Sequence, residues 1–587
     1  WLDCLYSRVN PPMNFKMLKN FFRLNIAIVL SAVCATLLLP MSAAADAREH
    51  LDKSEEYRIL IVTGRHSNRA KVSLLKKVIK ESASPGAFSI ETKSDKNLGE
   101  VPEALQEFSK HHLVILDTAS ARTSKKNYEK YQGRLNGLSN KIFAIQATDN
   151  SGLRVGISEP EAETIHQYYE NGGEENFKRL EDFLKYRVQH SVISENVAEP
   201  IIYPEIGLYH PDYENLIFPS REAYTKWRGA IQPGKRVVAL NLQRASIESN
   251  QTTLIDEAIK RIEAKGHYAL PFFFELSPSV SDYSALIQEN TNGRVETVAD
   301  VIINFRSIHW ANKRKQEFEK FGIPVVQAIT HYDGDQKAWE ESEEGISSAM
   351  LPFTLVLPES AGIIDPIVVA AMNHRKQQIE VIDYQLEFLV EKALNYAGLA
   401  VLSNADKKIT TMFWGDQDMG ASFLNVPESL QSISHRLNEE GYSVDKRDSE
   451  YFINNVERIL TPFYREYELE ALIDDDLAEL LPLEDYRKWL QTVPRETADG
   501  IIEHWGQPED NFMITERDGK KYFVIPRIRN GNMLILRQPP RGDSADTEQG
   551  LYHNTKIPMN HYYLAAYFYA RDYWNSDVFI HLNFIPF

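Results

Sequence analysis

Cysteine is nearly missing: the 587 residues hold two, Cys4 and Cys34, both close to the N-terminus. Basic charge is also short, with 65 Lys and Arg against 83 Asp and Glu and a formal net charge of −18. Nucleic-acid binding requires a cationic face to neutralise phosphate, so nucleic acid is excluded as a partner. Long apolar runs are scarce too. One stands out, Ile26–Leu39, and it falls short of the roughly 20 residues that span a bilayer comfortably. Short repeats, low-complexity tracts and flexible linkers are absent. No Lys follows the second glycine of Gly415–Gly420, so that loop is not a nucleotide-binding P-loop and the chain has no nucleotide site.

What is present begins with a leader-like segment. Residues 1–12 do not start with Met and read as a non-native upstream flank. From Met13 or Met17, Lys16, Lys19 and Arg23 precede the apolar run, and Pro40 and the small residues Ser42–Ala47 follow it. A positive start, a short apolar core and an Ala-x-Ala site predict a signal peptide over 13–47, cut after Ala45 or Ala47. The expected protein is exported, to a periplasm-like space, and carries no thiol, hence no disulfide or thiolate-held metal. The remaining ~540 residues are too many for one core.

The rest alternates short buried-type strands with helical patterns. Arg58–Thr63, His112–Asp117 and Lys141–Gln146 form one set of apolar runs. Arg236–Leu240, Asp300–Asn304, Pro324–Ala328 and Thr354–Leu357 form a second. A third runs from Lys408–Trp414 to Asp577–Leu582. Continuous apolar runs separated by crossover-length gaps predict a multidomain α/β chain, with several mostly parallel sheets flanked by helices. The expected divisions are 48–200, 201–405 and 406–587. The acidic run Asp474–Asp476 reads as a solvated helix face.

One helix start is well signed. Asn425 is placed to cap, Pro427 suits the first turn, and Glu428 stands three residues after the cap. Val426, Leu430, Ile433 and Leu437 share one face and Gly441 supplies the stop. The loop before it, Gly415 to Gly420, is open to two readings: a tight strand-to-helix connection, or an anion cradle of free N–H groups for an acidic arm of a ligand.

Five segments, in order, resemble one family. They are Gly207–Asp212 with Glu222–Trp227; Gly322–Gln327 with Trp339; Leu357–Glu359 with Gly362 and Asp365–Val368; Gly420–Leu430; and Gly531–Gly542 leading through Tyr552, His553 and Pro558–Leu564 to Asp577–Leu582. The order is similar to that of the cobaltochelatase large subunit and the magnesium chelatase H subunit. In that superfamily the last strand continues into His-x-Gly-x-His-Gly-Thr. Here Asn583 stands in place of the first Gly, and the second His does not arrive. The expectation is the N-terminal part of such a protein, with its last domain incomplete and little activity alone.

The resemblance implies a tetrapyrrole (porphyrin or corrin) and a divalent metal (Co, Mg or Fe) as substrates, with separate AAA+ ATPase subunits as partners. Metal insertion displaces two ring N–H protons, so a base and neutral ligands are needed near the ring centre. The expected catalytic residues are Glu359, His561 and His581, and the expected metal ligands are His553, His561 and His581. Gly415, Gly420, Asn425 and Arg541 are the expected ring-binding residues, with Arg541 suited to an acidic substituent. His210 and His374 are weaker candidates. Asn554–Thr555 after His553 and Met559–Asn560 before His561 depart from the family's Asp-Pro and Pro-Pro-His patterns. Export conflicts with an ATP-driven motor. The alternative is therefore an exported, non-catalytic binding protein for a tetrapyrrole or metal chelate, partnered by an uptake-system receptor.

Overall fold

The computed structural model describes residues 56–582, apart from 65–66, 83–86, 118–128, 132, 139–143, 147–155, 191–196, 275–282, 415–419, 422–423, 461–467 and 543–555. The leader-like segment, Gly415, His553 and Asn583 lie outside the described residues. No helix among the described residues is long and apolar enough to cross a membrane.

Three mainly parallel sheets follow one another along the chain. The first is four-stranded, with Tyr57–Thr63 and Leu113–Asp117 paired in parallel as its inner strands and Phe88–Ser94 and Ala144–Gln146 outside them. The second has eight strands. Its parallel heart runs Ile364–Asn373, Val325–His331, Val301–Asn304, Val237–Leu242, Tyr268–Phe274 across the sheet. Antiparallel strands Gln378–Val381, Ile206–Tyr209 and Ile217–Phe218 close its edges. The last places Ile409–Phe413 between parallel neighbours Met533–Arg537 and Val578–Leu582, with Ile528–Asn530 antiparallel at one edge.

The apolar runs explain these positions. Leu113–Asp117, Val237–Leu242, Tyr268–Phe274, Ile409–Phe413 and Met533–Arg537 are buried at every residue, as strands covered on both faces must be. Topology repeats as well. In the first sheet, and among the mutually parallel strands of the second and last, the second strand lies on one side of the first and the third on the other. The chain therefore reverses direction across the sheet beside the first strand, which is the position, at the carboxyl ends, where open α/β sheets bind ligands.

Two sequence expectations need correction. Thr354–Leu357 is not a strand. Pro352–Val356 winds as a π-helical turn and Leu357–Ser360 continues it as a helix. Pro352 and Pro358 each sit in a first turn, and Thr354 alone is buried among Pro352–Val356, so the run never had two covered faces. The strand of that region is Ile364–Asn373. An antiparallel sheet of Ala478–Pro482, Lys520–Pro526 and Ile514–Arg517 also escaped the sequence reading. Its hairpin turns on Asp518 and Gly519, at φ 52° and 72°, the left-handed pair that a two-residue turn of this kind requires. This small sheet shares one apolar core with the last parallel sheet.

The first and second sheets meet along a seam. Asn68 Nδ2 donates to Ala245 O at 3.4 Å and the Tyr203 N–H donates to Asn171 Oδ1 at 2.8 Å. Gly172 has φ +59°, and a Cβ there would lie 2.5 Å from Glu248 O. Lys71 and Glu248 are both buried at this seam. Burial pushes the Glu248 carboxyl above its ordinary value, although Lys71 and Arg244 pull it down.

Candidate functional site

The carboxyl edge of the last sheet gathers most of the candidates. Gln538 follows strand Met533–Arg537 directly, and its N–H donates to Phe413 O at 2.7 Å. Its side-chain nitrogen lies 2.9 Å from the Tyr563 hydroxyl and 2.8 Å from that of Tyr567. Burial, reinforced by Tyr563, raises the Tyr567 phenol above its usual value, so it stays a neutral hydrogen-bonding group.

Asn560 holds the next segment. It is fully buried, and its Nδ2 donates to the carbonyls of Pro540, Arg541 and Gly542 at 2.9, 3.2 and 2.7 Å. Its Oδ1 accepts from Tyr563 N at 2.8 Å and so caps helix His561–Phe568. One side chain thus fixes both the Pro-Pro-Arg-Gly loop and the helix start. Arg541 is carried on that loop, with Nη2 3.3 Å from Ile557 O. Sequence reasoning missed Gln538 and Asn560. The signals were available: a polar residue at a strand's carboxyl end, and Asn before an apolar helix.

His561 and His581 behave oppositely. His561 is fully buried, with Tyr486 Oη 3.0 Å from Nδ1 and Gly506 O 3.1 Å from Nε2. The consistent tautomer donates from Nε2 to Gly506 and accepts the Tyr486 proton at Nδ1. Both nitrogens are committed, so the imidazole serves as a tie between segments and has no lone pair left for a metal. Desolvation holds it below its ordinary pKa, partly offset by Gly506 and Glu509.

His581 is exposed at the end of Val578–Leu582. Among the described residues neither ring nitrogen has a hydrogen-bond partner. Its ring lies roughly parallel to Phe579, at 6.5 Å and 17°, and to Tyr567, at 6.3 Å and 21°. Partial desolvation lowers its pKa, which favours the neutral imidazole. The strand crosses back beside Ile409–Phe413, so His581 stands where the strand order reverses.

The other candidates lie elsewhere. Glu359 is exposed on Leu357–Ser360, ahead of a central-sheet strand, and makes no hydrogen bond or ion pair with His561 or His581. Asn425 caps its helix, accepting from Glu428 N at 3.2 Å, and Gly420 pairs with it across a short antiparallel bridge. His210 is buried against Trp227 and Glu263, and His374 sits in an exposed turn. Asp474, Asp475 and Asp476 pair with Arg517, Arg458 and Arg527. In the first sheet, ligand atoms of Glu91, Glu107 and His111 lie within 4.8 Å of one another. Lys93 Nζ already sits 2.7 Å from Glu107 and 3.4 Å from Glu91, so the protein supplies its own cation there.

These features define a class: a tandem doubly wound α/β protein with aromatic rings and a histidine at the carboxyl edge of its last sheet. The chain belongs to the CobN/Magnesium Chelatase family, whose model matches residues 166–583. It is 26% identical over 442 residues to the aerobic cobaltochelatase subunit CobN of Pseudomonas aeruginosa, covering 72% of this chain and 34% of that protein. It is 24% identical over 454 residues to the chloroplastic magnesium-chelatase subunit ChlH of Oryza sativa subsp. indica, covering 72% of this chain and 31% of that one. The chain thus spans about a third of the length of these relatives. The catalytic subunit of cobaltochelatase from Mycobacterium tuberculosis shares the fold, with a TM-score of 0.61 at 17% identity over 91% of this chain and 43% of that one. The resemblance read from residues 200 to 582 is borne out.

Proposed function

We propose that the carboxyl edge of the last sheet receives a tetrapyrrole, and that the chain acts in the ring-holding large subunit of a metal chelatase. The observation that carries this reading is His581: an imidazole with no hydrogen-bond partner among the described residues, beside Tyr567 and Phe579 where the strand order reverses. Flat aromatic rings suit the face of a macrocycle. A neutral imidazole suits acceptance of a ring N–H proton, or transient ligation of the divalent metal substrate. Arg541, on the loop fixed by Asn560, is the group for an acidic ring substituent. His561 has a positioning role, holding the helix that carries Tyr563 and Tyr567. Cobalt, magnesium and iron remain alternatives for the metal, and AAA+ subunits are the partners this reading expects.

The test is absorbance titration of the full chain with a metal-free porphyrin. His581→Ala is expected to weaken binding about tenfold, equivalent to ~1.4 kcal/mol. Unchanged affinity and spectrum in that variant would overturn the assignment. The leader-like 13–47 segment favours a second reading, an exported tetrapyrrole or metal-chelate binder serving an uptake receptor. A mature N-terminus at Asp46 or Arg48 would support it.

A further inference from the structure

The central sheet has its own reversal of strand order, and a buried amide ladder marks it. The first parallel strand, Val237–Leu242, lies between Tyr268–Phe274 and Val301–Asn304. At the carboxyl ends a buried amide ladder crosses the sheet: Asn241 Nδ2 donates to Asn304 Oδ1 at 2.8 Å, and Asn304 Nδ2 donates to Gln327 Oε1 at 2.7 Å. Asn304 and Gln327 also both donate to Arg306 O. Arg306 is buried, with its guanidinium 4.0 Å from the centre of the Phe274 ring and Nη1 2.7 Å from Phe274 O. This ladder pins the loop Phe305–His309.

The loop presents a half-buried imidazole, His309. Its ring is 5.8 Å from that of Trp310 and 5.1 Å from that of Phe353. Among the described residues neither nitrogen of His309 has a hydrogen-bond partner. Burial and the Arg306 charge hold its pKa below the ordinary value, so a lone pair is available at neutral pH. The apolar neighbours are outward-facing: Trp310 is 53% exposed, Phe353 37% and Val356 53%.

The backbone is arranged to make this so. Trp310 sits at φ 54°, ψ 53° at the start of helix Ala311–Phe321. A bulky residue in the left-handed region costs roughly 1–2 kcal/mol, and such strain clusters at functional positions. Phe353 and Val356 belong to the π-helical turn Pro352–Val356, a widened turn frequent at functional sites. The two segments are tied by Ile308 N–H donating to Phe353 O at 3.1 Å. Strain in one segment, a π turn in the other and an uncommitted imidazole between two aromatic rings converge on one edge.

We propose that the His309–Trp310–Phe353 edge is a second docking site, for a planar metal chelate that presents its metal axially to a His309 nitrogen and its ring face to the exposed aromatic surface. A free metal ion would need more than one protein ligand, and among the described residues no carboxylate pairs with His309. An apolar peptide would not require the unpaired imidazole. A metallated macrocycle uses both features. The site is separate from the His581 edge and does not depend on it, so either can fail alone.

The experiment titrates the full chain with iron(III) protoporphyrin and, in parallel, with metal-free protoporphyrin, following absorbance and the spin state of the iron. Two classes of iron-porphyrin site are expected in the unaltered chain. His309→Ala should remove one class, weakening it at least about tenfold, while metal-free porphyrin binding changes little because no axial bond is lost. Trp310→Gly should weaken both ligands at this edge severalfold without lowering the urea midpoint, since Gly accepts the left-handed backbone. His581→Ala should leave the His309 class intact. A spectrum and stoichiometry unaffected by His309→Ala, or loss of both classes in His581→Ala, would overturn the proposal. Loss of both ligands equally in His309→Ala would show an apolar surface without axial ligation, and would also overturn it.

Discussion

The first sheet and the last share a topology and differ at the one place where it matters. In the first, the described residues at the ends of the inner strands bond to one another. Gly64 N–H donates to Ser67 Oγ at 2.8 Å, Ser67 Oγ donates to Asp117 O at 2.7 Å, and Tyr169 Oη donates to Asp117 Oδ2 at 2.7 Å. In the last, Gln538 and Asn560 take up the internal hydrogen bonds and leave His581 without one. The central sheet follows the last: its amide ladder absorbs the backbone's needs and leaves His309 uncommitted. A reversal of strand order is therefore only an opportunity, and the residues just past the strand ends decide whether it is spent on stability or kept open.

That contrast can be broken most forcefully at Asn560. Asn560→Ala removes a helix cap worth about 1 kcal/mol and leaves buried carbonyls unpaired at a further cost of about 1–3 kcal/mol. The expected result is a loss of about 3 kcal/mol in urea unfolding, together with loss of porphyrin binding at the His581 edge. Full binding in a destabilised variant would mean that the loop's placement is irrelevant to the ligand.

Ser67→Ala addresses the bonded strand ends of the first sheet. It deletes the acceptor for Gly64 N–H and the donor to Asp117 O, and should cost about 1–2 kcal/mol of stability with no change in porphyrin affinity. A shift in affinity would show that the first sheet is not a bystander.

The smallest effect concerns pH and separates His561 from His581. His561 has a folded pKa below its unfolded value near 6.5. The folded form then binds fewer protons than the unfolded one, so stability is full above about 6.5 and falls as pH drops through the window below it. The slope from this one group cannot exceed ~1.4 kcal/mol per pH unit. His561→Gln should flatten that part of the profile, and a profile identical to the parent's would assign the acid sensitivity elsewhere.

Much of this architecture could be read from the chain, for a physical reason. Strands buried on both faces leave a mostly apolar run, as Ile409–Phe413 and Val237–Leu242 do. Thr354–Leu357 shows the limit. Three apolar residues and a threonine fit a strand or a turn equally well, and two flanking prolines decided the matter. The site was less legible because the fate of each histidine is set by distant partners. His561 and His581 look alike in sequence, yet the Tyr486 hydroxyl that commits one of them lies 75 residues away. His309 carried no spacing signal at all, since its ring neighbour Phe353 comes from a separate segment. Asn560 was readable as a cap, but its grip on three carbonyls was not.

The seam at Gly172 has a consequence for how the molecule can be taken apart. A border near residue 200 separates sheets in the order of the chain, yet Lys71 and Glu248 face each other across it, both sheltered from water. Severing the chain there would strand an ionisable group on each piece in an environment built for its opposite. The first two sheets are successive in the sequence yet share buried groups at one seam, and an exchange between relatives would have to carry the glycine, the lysine and the glutamate together.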